Sequence, residues 1–446
     1  MDIHGFKAIW DLRRKWSDGP LEVHTIEDAS LVGLNVVKVE LNITYRNTGE
    51  IKEHISVELT FSSSLQITNF LMVPRTAGNS EASQSMNPVN IGIISMLTGE
   101  LMTRATRMID FKIVAIANDD LGIAEKFIEN SPVFAQGGPL CKAMTNDALI
   151  SHEEVEAIYF HQPLNFRNEW IRKAINAGKH IYSEKPMGGT VAEFKALLDE
   201  CEAKGVQFMD DTMWYHSTRT LHIEKLLGSG ELGSIRTMNA AFTFRFPDQA
   251  WLEGGNRITD KGREPMGCLG VLGWYPLSAI LWAFSWELPE HVIATSTTLN
   301  KLGTIVACSG VLFFNDGRVA NFDCGCMSAH RSHYEIVCDR GSIRVDDFVG
   351  GQGDKGDHSA YFIPFLGSSN FTKADVNGKE TIIEVEASCH VRSIVDNFAF
   401  CLKRIREGGK PEQDWPKRSL AVQTTLSAVF ESAANGGRKI TVADDR

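Results

Sequence analysis

The sequence predicts an α/β protein in which a doubly wound parallel sheet is followed by an α+β domain with a large, mostly antiparallel sheet, behind a small α+β N-terminal extension. Three observations carry that prediction. From Val89 onward, short apolar runs alternate with helical stretches, as in a parallel sheet covered on both faces. After about Met213 the alternation gives way to strand-like runs punctuated by tight turns. Finally, 446 residues, 43% of them hydrophobic and 23% charged, suffice for about three units, each with a core of its own.

In chain order, residues 6–16 have the spacing of a short amphipathic helix. The runs LNVVKVELNITYR and IKEHISVELTF alternate apolar and polar residues around the turn-like Asn47-Thr48-Gly49, a hairpin signal. LQITNFLMVP adds a third run, and the small, polar RTAGNSEASQSMNP closes the extension as a linker. The expected segments are therefore 1–85, 86–212 and 213–446. In the second, VNIGIIS, FKIVAIAN, VEAIYFHQ, KHIYSEK and VQFMDD serve as strands. Helices around Leu97–Met108, Leu121–Glu129, Phe166–Ala177 and Val191–Lys204 connect them, the last two stopping at Gly178 and Gly205, which suit the left-handed residue after a helix. In the third, a helix around Thr220–Leu227 precedes the strand SIRTMNAAFTFRF, a charge-free stretch from Pro265 to Trp286 and several strands between Val292 and Phe348. Asn315-Asp316-Gly317 and Asp339-Arg340-Gly341 mark hairpins there, and helices near Val391–Arg406 and Leu420–Ala434 follow.

Composition excludes several classes. With 45 basic against 56 acidic residues the net charge is −11, which argues against a nucleic-acid partner. The N-terminus lacks the apolar core of a secretory signal. The charge-free stretch carries Gly267, Gly270, Gly273, Pro276 and Ser278 and no flanking basic cluster, so it reads as a buried helix of a soluble domain rather than a membrane span. The 9 cysteines are scattered, odd in number and free of any C-x-x-C, which suits reduced thiols in a cytoplasmic protein with neither disulfide framework nor metal site. There is no phosphate-binding G-x-x-x-x-G-K-[ST], no H-E-x-x-H and no G-x-S-x-G.

Three places could carry chemistry. The turn after the first parallel strand, Gly92-Ile93-Ile94-Ser95-Met96-Leu97-Thr98-Gly99, is a degraded form of the glycine-rich turn whose amides approach a dinucleotide pyrophosphate. Ser95 stands where glycine is expected. The second strand ends Ala117-Asn118-Asp119-Asp120, where a carboxylate can accept from an adenosine ribose and repel a 2′-phosphate, favouring NAD(H) with NADP(H) as the alternative. The same acids suit the N-cap of the next helix. In His180-Ile181-Tyr182-Ser183-Glu184-Lys185-Pro186, an ion pair sits at the C-terminal end of a parallel strand, where open α/β sheets bind ligands.

With these residues the sequence resembles the Gfo/Idh/MocA family of nicotinamide-dependent oxidoreductases over roughly residues 87–440. GKHIYSEKPMGGTVAEFKALLDECEAKGVQFMDDTMWYHSTRT resembles the family's G-K-H-x-x-x-E-K-P segment and its continuation. Gly267-Cys268-Leu269-Gly270-Val271-Leu272-Gly273-Trp274-Tyr275 is similar to its G-x-L-x-D-x-G-x-[HY] element. The resemblance implies a Rossmann-type first domain, a nicotinamide cofactor, and hydride exchange with a sugar, polyol or cyclic diol or ketone. It implies Lys185 and Tyr275 as the catalytic pair: a phenol protonates oxygen as hydride reaches carbon, and the adjacent ammonium stabilises the anion. It further implies cofactor contacts at Gly92, Ser95, Met96, Leu97, Asn118, Asp119, Gln162, Pro163, Asn165, Glu184 and Lys185. Trp214, Tyr215, Arg257 and Trp274 would line the cleft for a small-molecule substrate. By the same analogy the large sheet would build a homodimer or higher homo-oligomer. Three positions depart from the family pattern: Ser95 for glycine, Val271 for aspartate and Arg167 for histidine. A non-redox reaction on the same fold, or an inactive nucleotide-binding scaffold, are the rival expectations.

Overall fold

A computed structural model describes residues 21–33, 36–45, 51–61, 67–74, 88–95, 108, 111–131, 141–246, 248–350, 359–363, 380–386 and 388–443. The expected helices at 6–16 and, but for Met108, at Leu97–Met108 lie outside the described residues. The chain forms two compact units, Met1–Ser83 and Gln84–Arg446. In the first, β1 (Leu21–Gly33), β2 (Val36–Tyr45), β3 (Ile51–Phe61) and β4 (Ile67–Pro74) form an antiparallel meander in chain order. The β2–β3 pair is the hairpin the alternation predicts. β1 went unpredicted because LEVHTIEDASLVG mixes polar and apolar residues, and its pairing with β2 shifts register three times.

The second unit begins with a six-stranded parallel sheet of β5 (Val89–Ser95), β6 (Phe111–Ala117), β7 (Lys142–Met144), β8 (Ala157–His161), β9 (His180–Ser183) and β10 (Phe208–Asp210), in the order β10-β9-β8-β5-β6-β7. The chain winds outward from β5 to β7, returns to β8 and winds the other way. β5 and β8 therefore flank the switch point, where a crevice opens beyond their C-terminal ends. α1 (Leu121–Glu129) is capped by Asp120, whose carboxylate accepts from the Gly122 amide at 2.9 Å. α2 (Asn146–Ile150), α3 (Asn168–Asn176) and α4 (Val191–Ala203) follow, the last opened by a reciprocal Thr190–Glu193 cap. Gly178 and Gly205 take φ of 71° and 67° beyond α3 and α4, as their positions predict. β7 and α2 were invisible in the sequence, since three and five residues are too few to show a period.

Every residue of β8 is buried and β5 and β6 are nearly so, which is why they read as continuous apolar runs. One face packs against α2, α3 and α4 through Leu149, Ile171, Phe194 and Leu197. The other packs against α8 (His390–Arg406), whose Ile394, Val395, Phe398 and Leu402 cover Ile91, Tyr159 and Tyr182. Between these, α5 (Thr218–Gly228) leads into a nine-stranded sheet.

That sheet has the order β18-β17-β16-β15-β11-β14-β13-β12-β19, with β11 spanning Ile235–Arg245, β12 His291–Leu299, β13 Ile305–Phe313, β14 Val319–Gly325, β15 Met327–Cys338, β16 Ser342–Val345, β17 Ser359–Ile363, β18 Thr381–Val385 and β19 Ile440–Thr441. All pairs are antiparallel except β11–β14. The two predicted hairpins are β13–β14 and β15–β16. The charge-free stretch folds as two buried helices, α6 (Gly267–Val271) and α7 (Trp274–Ala283), against this sheet. They part at Gly273, where a Cβ would lie 2.4 Å from the Leu269 carbonyl oxygen. The last helix, α9 (Asp414–Ala434), starts six residues before the sequence suggested, because Pro416 sits in its first turn, where a missing N–H costs nothing. Among the described residues no helix is long and apolar enough to cross a membrane.

Candidate active site

β9 ends at Ser183, and the chain turns through Glu184, Lys185 and Pro186 with a cis Lys185–Pro186 peptide. Lys185, 5% exposed, donates from Nζ to the carbonyl oxygen of Val271 at 2.7 Å, and its Nζ stands 4.1 Å from the centroid of the Tyr275 ring. Tyr275 rides on the first turn of α7, 6% exposed, its hydroxyl 3.7 Å from Met213 Sδ and its ring edge-on to Phe242 at 5.1 Å. The two residues named from the sequence thus meet in one buried place. The departure at position 271 bears on the same spot, because it is the backbone of Val271, not its side chain, that receives the ammonium.

Behind the lysine lies a buried polar lattice. The Arg167 guanidinium donates to the carbonyl of Glu184, to the carbonyl of Pro186 at 2.9 Å and to Ser183 Oγ at 3.3 Å. Complete burial lowers its basicity, while the nearby Glu264 and Glu184 carboxylates act the other way. Glu184 accepts from the Tyr159 hydroxyl at 2.9 Å and lies 3.9 Å from His161 Nε2, and His161 Nδ1 is 3.2 Å from Ser95 Oγ. Asp210, at the end of β10, accepts from Thr212 and Ser419, and burial raises its pKa.

Other residues named from the sequence divide into three groups. Asn118, Asp119, Gln162, Pro163, Asn165 and Glu184 gather with Ser95 at the C-terminal ends of the parallel strands; Met96 and Leu97 lie outside the described residues. Asn118 Nδ2 donates to the Ser95 carbonyl at 2.9 Å, and Asp119 accepts from Asn146 Nδ2 at 2.5 Å. Gly92 sits inside β5, where a Cβ would fall 2.7 Å from Leu149 Cδ2, so its missing side chain makes room for α2. Trp214 and Trp274 are wholly buried: their indole N–H groups donate to Ser278 Oγ at 3.1 Å and Thr212 Oγ1 at 2.7 Å, which places both behind the site rather than on its surface. Tyr215, 6% exposed, packs against Trp214 and Trp286.

Arg257 pairs with Glu264 at 3.3 Å on the loop before α6. That loop is joined to the turn after β8: Asn165 donates from its amide to the Arg263 carbonyl at 3.4 Å and from Nδ2 to the Gly262 carbonyl at 2.8 Å. Burial raises the Glu264 pKa against the pull of Arg167, Arg257 and Lys185. His161 and Glu264 escaped the sequence reading. A histidine closing a buried strand and an acid in a charged loop leave no periodic mark; their burial alone reveals them.

The residues present fit a nicotinamide nucleotide. Gln162 Oε1 is buried beyond the end of β8 with no hydrogen-bond partner among the described residues, an acceptor suited to a carboxamide or ribose hydroxyl at the switch point. Asn118 and Asp119 stand beyond the end of β6, two strands from β8, where a ribose would be held.

Comparison with known proteins bears on the same residues. A model described as an oxidoreductase family with an NAD-binding Rossmann fold matches residues 89–212, and a GFO/IDH/MocA C-terminal domain model matches 220–344. The chain is 25% identical to a D-xylose 1-dehydrogenase (NADP(+)) of Haloferax volcanii over 65% of its own length and 82% of that protein. It is 24% identical to the trans-1,2-dihydrobenzene-1,2-diol dehydrogenase of Bos taurus over 62% and 79%. Among solved structures, a 3-ketoreductase from Actinomadura kijaniata with NADP and TDP-benzene superposes with a TM-score of 0.63 at 20% identity, over 78% of this chain and 98% of that one. An aldose-aldose oxidoreductase from Caulobacter crescentus gives 0.62 at 21% over 80% and 100%. These two share its fold.

Proposed function

The chain belongs to the Gfo/Idh/MocA oxidoreductase family, and from that premise we propose that it moves hydride between a nicotinamide nucleotide and a sugar, polyol or cyclic diol or ketone, with Lys185 and Tyr275 as the catalytic pair. One observation carries the reading: a lysine and a tyrosine from different elements, each nearly buried, lie with ammonium and phenol ring 4.1 Å apart at the switch-point end of the parallel sheet. The bound nicotinamide supplies or accepts the hydride. In reduction, Tyr275 gives its hydroxyl proton to the substrate oxygen as negative charge grows there; in oxidation it takes that proton back. Lys185 stabilises both the phenolate and the substrate alkoxide, and the low dielectric around the pair strengthens that attraction. Asn165 and Gln162 would hold the nicotinamide side, Asn118 and Asp119 the adenosine ribose.

Asp119 supports NAD(H) over NADP(H), since a carboxylate at the ribose repels a 2′-phosphate. Arg257, steadied by Glu264, would orient substrate hydroxyls. A homodimer built on the nine-stranded sheet and a cytoplasmic location belong to the same reading.

The test is hydride transfer followed at the reduced-nicotinamide band with pentose, hexose and cyclic-diol substrates. Lys185→Met and Tyr275→Phe should each lower kcat by about a hundredfold or more, with the circular-dichroism spectrum of the folded protein retained. Wild-type turnover in both variants would remove the pair from the chemistry.

A further inference from the structure

From Tyr275 a ladder of aromatic rings runs outward. Phe242 and Phe244, two residues apart on β11, face the same side of the sheet. Ring centroids follow at 5.1 Å from Tyr275 to Phe242, 6.2 Å to Phe244, 5.2 Å to Phe246 and 5.4 Å to Trp251. Phe242 and Phe244 are half-buried and Trp251 is 43% exposed, while Tyr275 and Phe246 are each 6% exposed, so the ladder presents ring surface at Phe242, Phe244 and Trp251. At its outer end Leu302 is 46% exposed and lies against the turn after Trp251, where a Cβ on Gly254 would meet Leu302 Cδ1 at 2.5 Å.

The ladder is continuous with the candidate site at both ends. Its inner rung is the proposed acid, and its outer rung is tied to the substrate-side loop through Asn256 Nδ2, which donates to the Trp251 carbonyl at 2.9 Å. A six-membered ring reacting at Tyr275 would lie beside the inner rung. The rungs beyond it remain, and apolar surface of this extent beside a cleft marks a place for an apolar group.

We propose that the ladder from Phe242 to Trp251 is a substrate subsite for a flat apolar ring carried by the reacting ring, as in an aryl glycoside or an aryl-substituted cyclic alcohol. The proposal rests on the oxidoreductase reading only for where the reacting ring sits. Charge at the outer end disfavours a nucleotide diphosphate as the occupant. Asp248 accepts from the Trp251 amide at 3.0 Å, Glu253 stands on the same turn facing Lys301 at 3.9 Å, and two of the three cations of the neighbouring loop are held by acids, Arg257 by Glu264 and Arg263 by Asp260. Aromatic faces of this kind bind flat rings by offset and edge-on stacking.

Calorimetric titration of the full chain with phenyl and methyl β-D-glucopyranoside, in the presence of NADH, tests the subsite without requiring turnover. The phenyl glycoside should bind about tenfold more tightly, equivalent to about 1.4 kcal/mol. Trp251→Ala, at a position 43% exposed, and Phe244→Leu should bring that ratio to within about threefold. Equal affinity of the two glycosides, no binding of the phenyl glycoside, or a ratio unchanged in both variants overturns the proposal. So does tighter binding of a uridine diphosphate sugar. If the phenyl preference holds while no hydride transfer occurs with any substrate, the subsite stands and the oxidoreductase reading falls.

Discussion

The side chain of Arg167 is 1% exposed and holds the carbonyls on either side of Lys185, so the direction in which the lysine leaves the backbone depends on a buried cation. An Arg fork can bridge two carbonyls in fixed geometry, and a lysine ammonium cannot reproduce that planar span. Arg167→Met should therefore cost about 3–5 kcal/mol of stability, because Glu184 and Glu264 lose a counter-charge where water cannot replace it. Arg167→Lys should keep most of the stability yet lower kcat more than it raises the nucleotide KM. Urea denaturation beside steady-state kinetics separates these outcomes; equal kcat in wild type and Arg167→Lys would leave the fork without a part in placing Lys185. In the sequence this arginine was only a departure from a family histidine. Nothing in Pro163-Leu164-Asn165-Phe166-Arg167 marks it as buried, since the same letters would serve an exposed helix start. Lys185 and Tyr275 were legible because each sits in a string with a recognisable neighbourhood, whereas Glu264 and His161 owe their places to residues far away in the chain.

At the level of elements, β5 and α2 are fitted to one another through an absent side chain. A Cβ on Gly92 would meet three atoms of Leu149 at 2.7–2.9 Å. Gly92→Ala should destabilise the fold by about 1–3 kcal/mol through overpacking. Leu149→Ala introduced into that variant should cost less than in the wild type, so a double-mutant cycle in urea would give a favourable coupling. Additive effects would mean that the helix moves aside freely. The sequence had offered Gly92 as part of a nucleotide turn, and the difference is instructive. A glycine in a strand signals close approach of something, but only the packed structure says whether that is a ligand or a leucine. The long elements were legible from their period, and the turns from Asn-Asp-Gly and Asp-Arg-Gly. The elements missed were β1, with its shifting register, and β7 and α2, which end before a pattern can form. The cleft residues of β11 were seen as strand and not as a ring ladder, because alternate phenylalanines mark a core face equally well.

Across the whole molecule, the parallel sheet is covered by a helix that arrives only after eight of the nine strands of the second sheet, so local folding cannot finish the first core: Phe398 of α8 stacks on Tyr182 at 5.3 Å and on Phe111 at 6.0 Å. Two histidines in this packed unit are kept neutral. His180 accepts from the Gln207 amide through Nδ1 at 3.0 Å, and burial pushes its pKa down to about 4. Burial, with Arg418 and His390 nearby, pushes His216 down to about 3. A histidine whose folded value lies below its unfolded one binds fewer protons when folded, so stability is complete above about pH 6.5 and falls as the pH drops towards the folded value. For His180 that loss is on the order of 3 kcal/mol between pH 6.5 and 4. Buried Asp210 and Glu264, with raised values, act in the opposite sense over the acid range and soften the fall. Urea midpoints measured from pH 7.5 to 4.5 should therefore decline, and His180→Asn, whose side-chain oxygen can still accept from Gln207, should flatten the curve. A flat wild-type profile would contradict the neutral assignment. The bond from Lys185 to position 271 joins the parallel sheet to the helices of the second sheet, and its acceptor is a peptide oxygen. Every amino acid brings that atom with it, so the codon for residue 271 can drift through generations without releasing the lysine, and a lineage that has discarded its aspartate there has not thereby surrendered the anchorage.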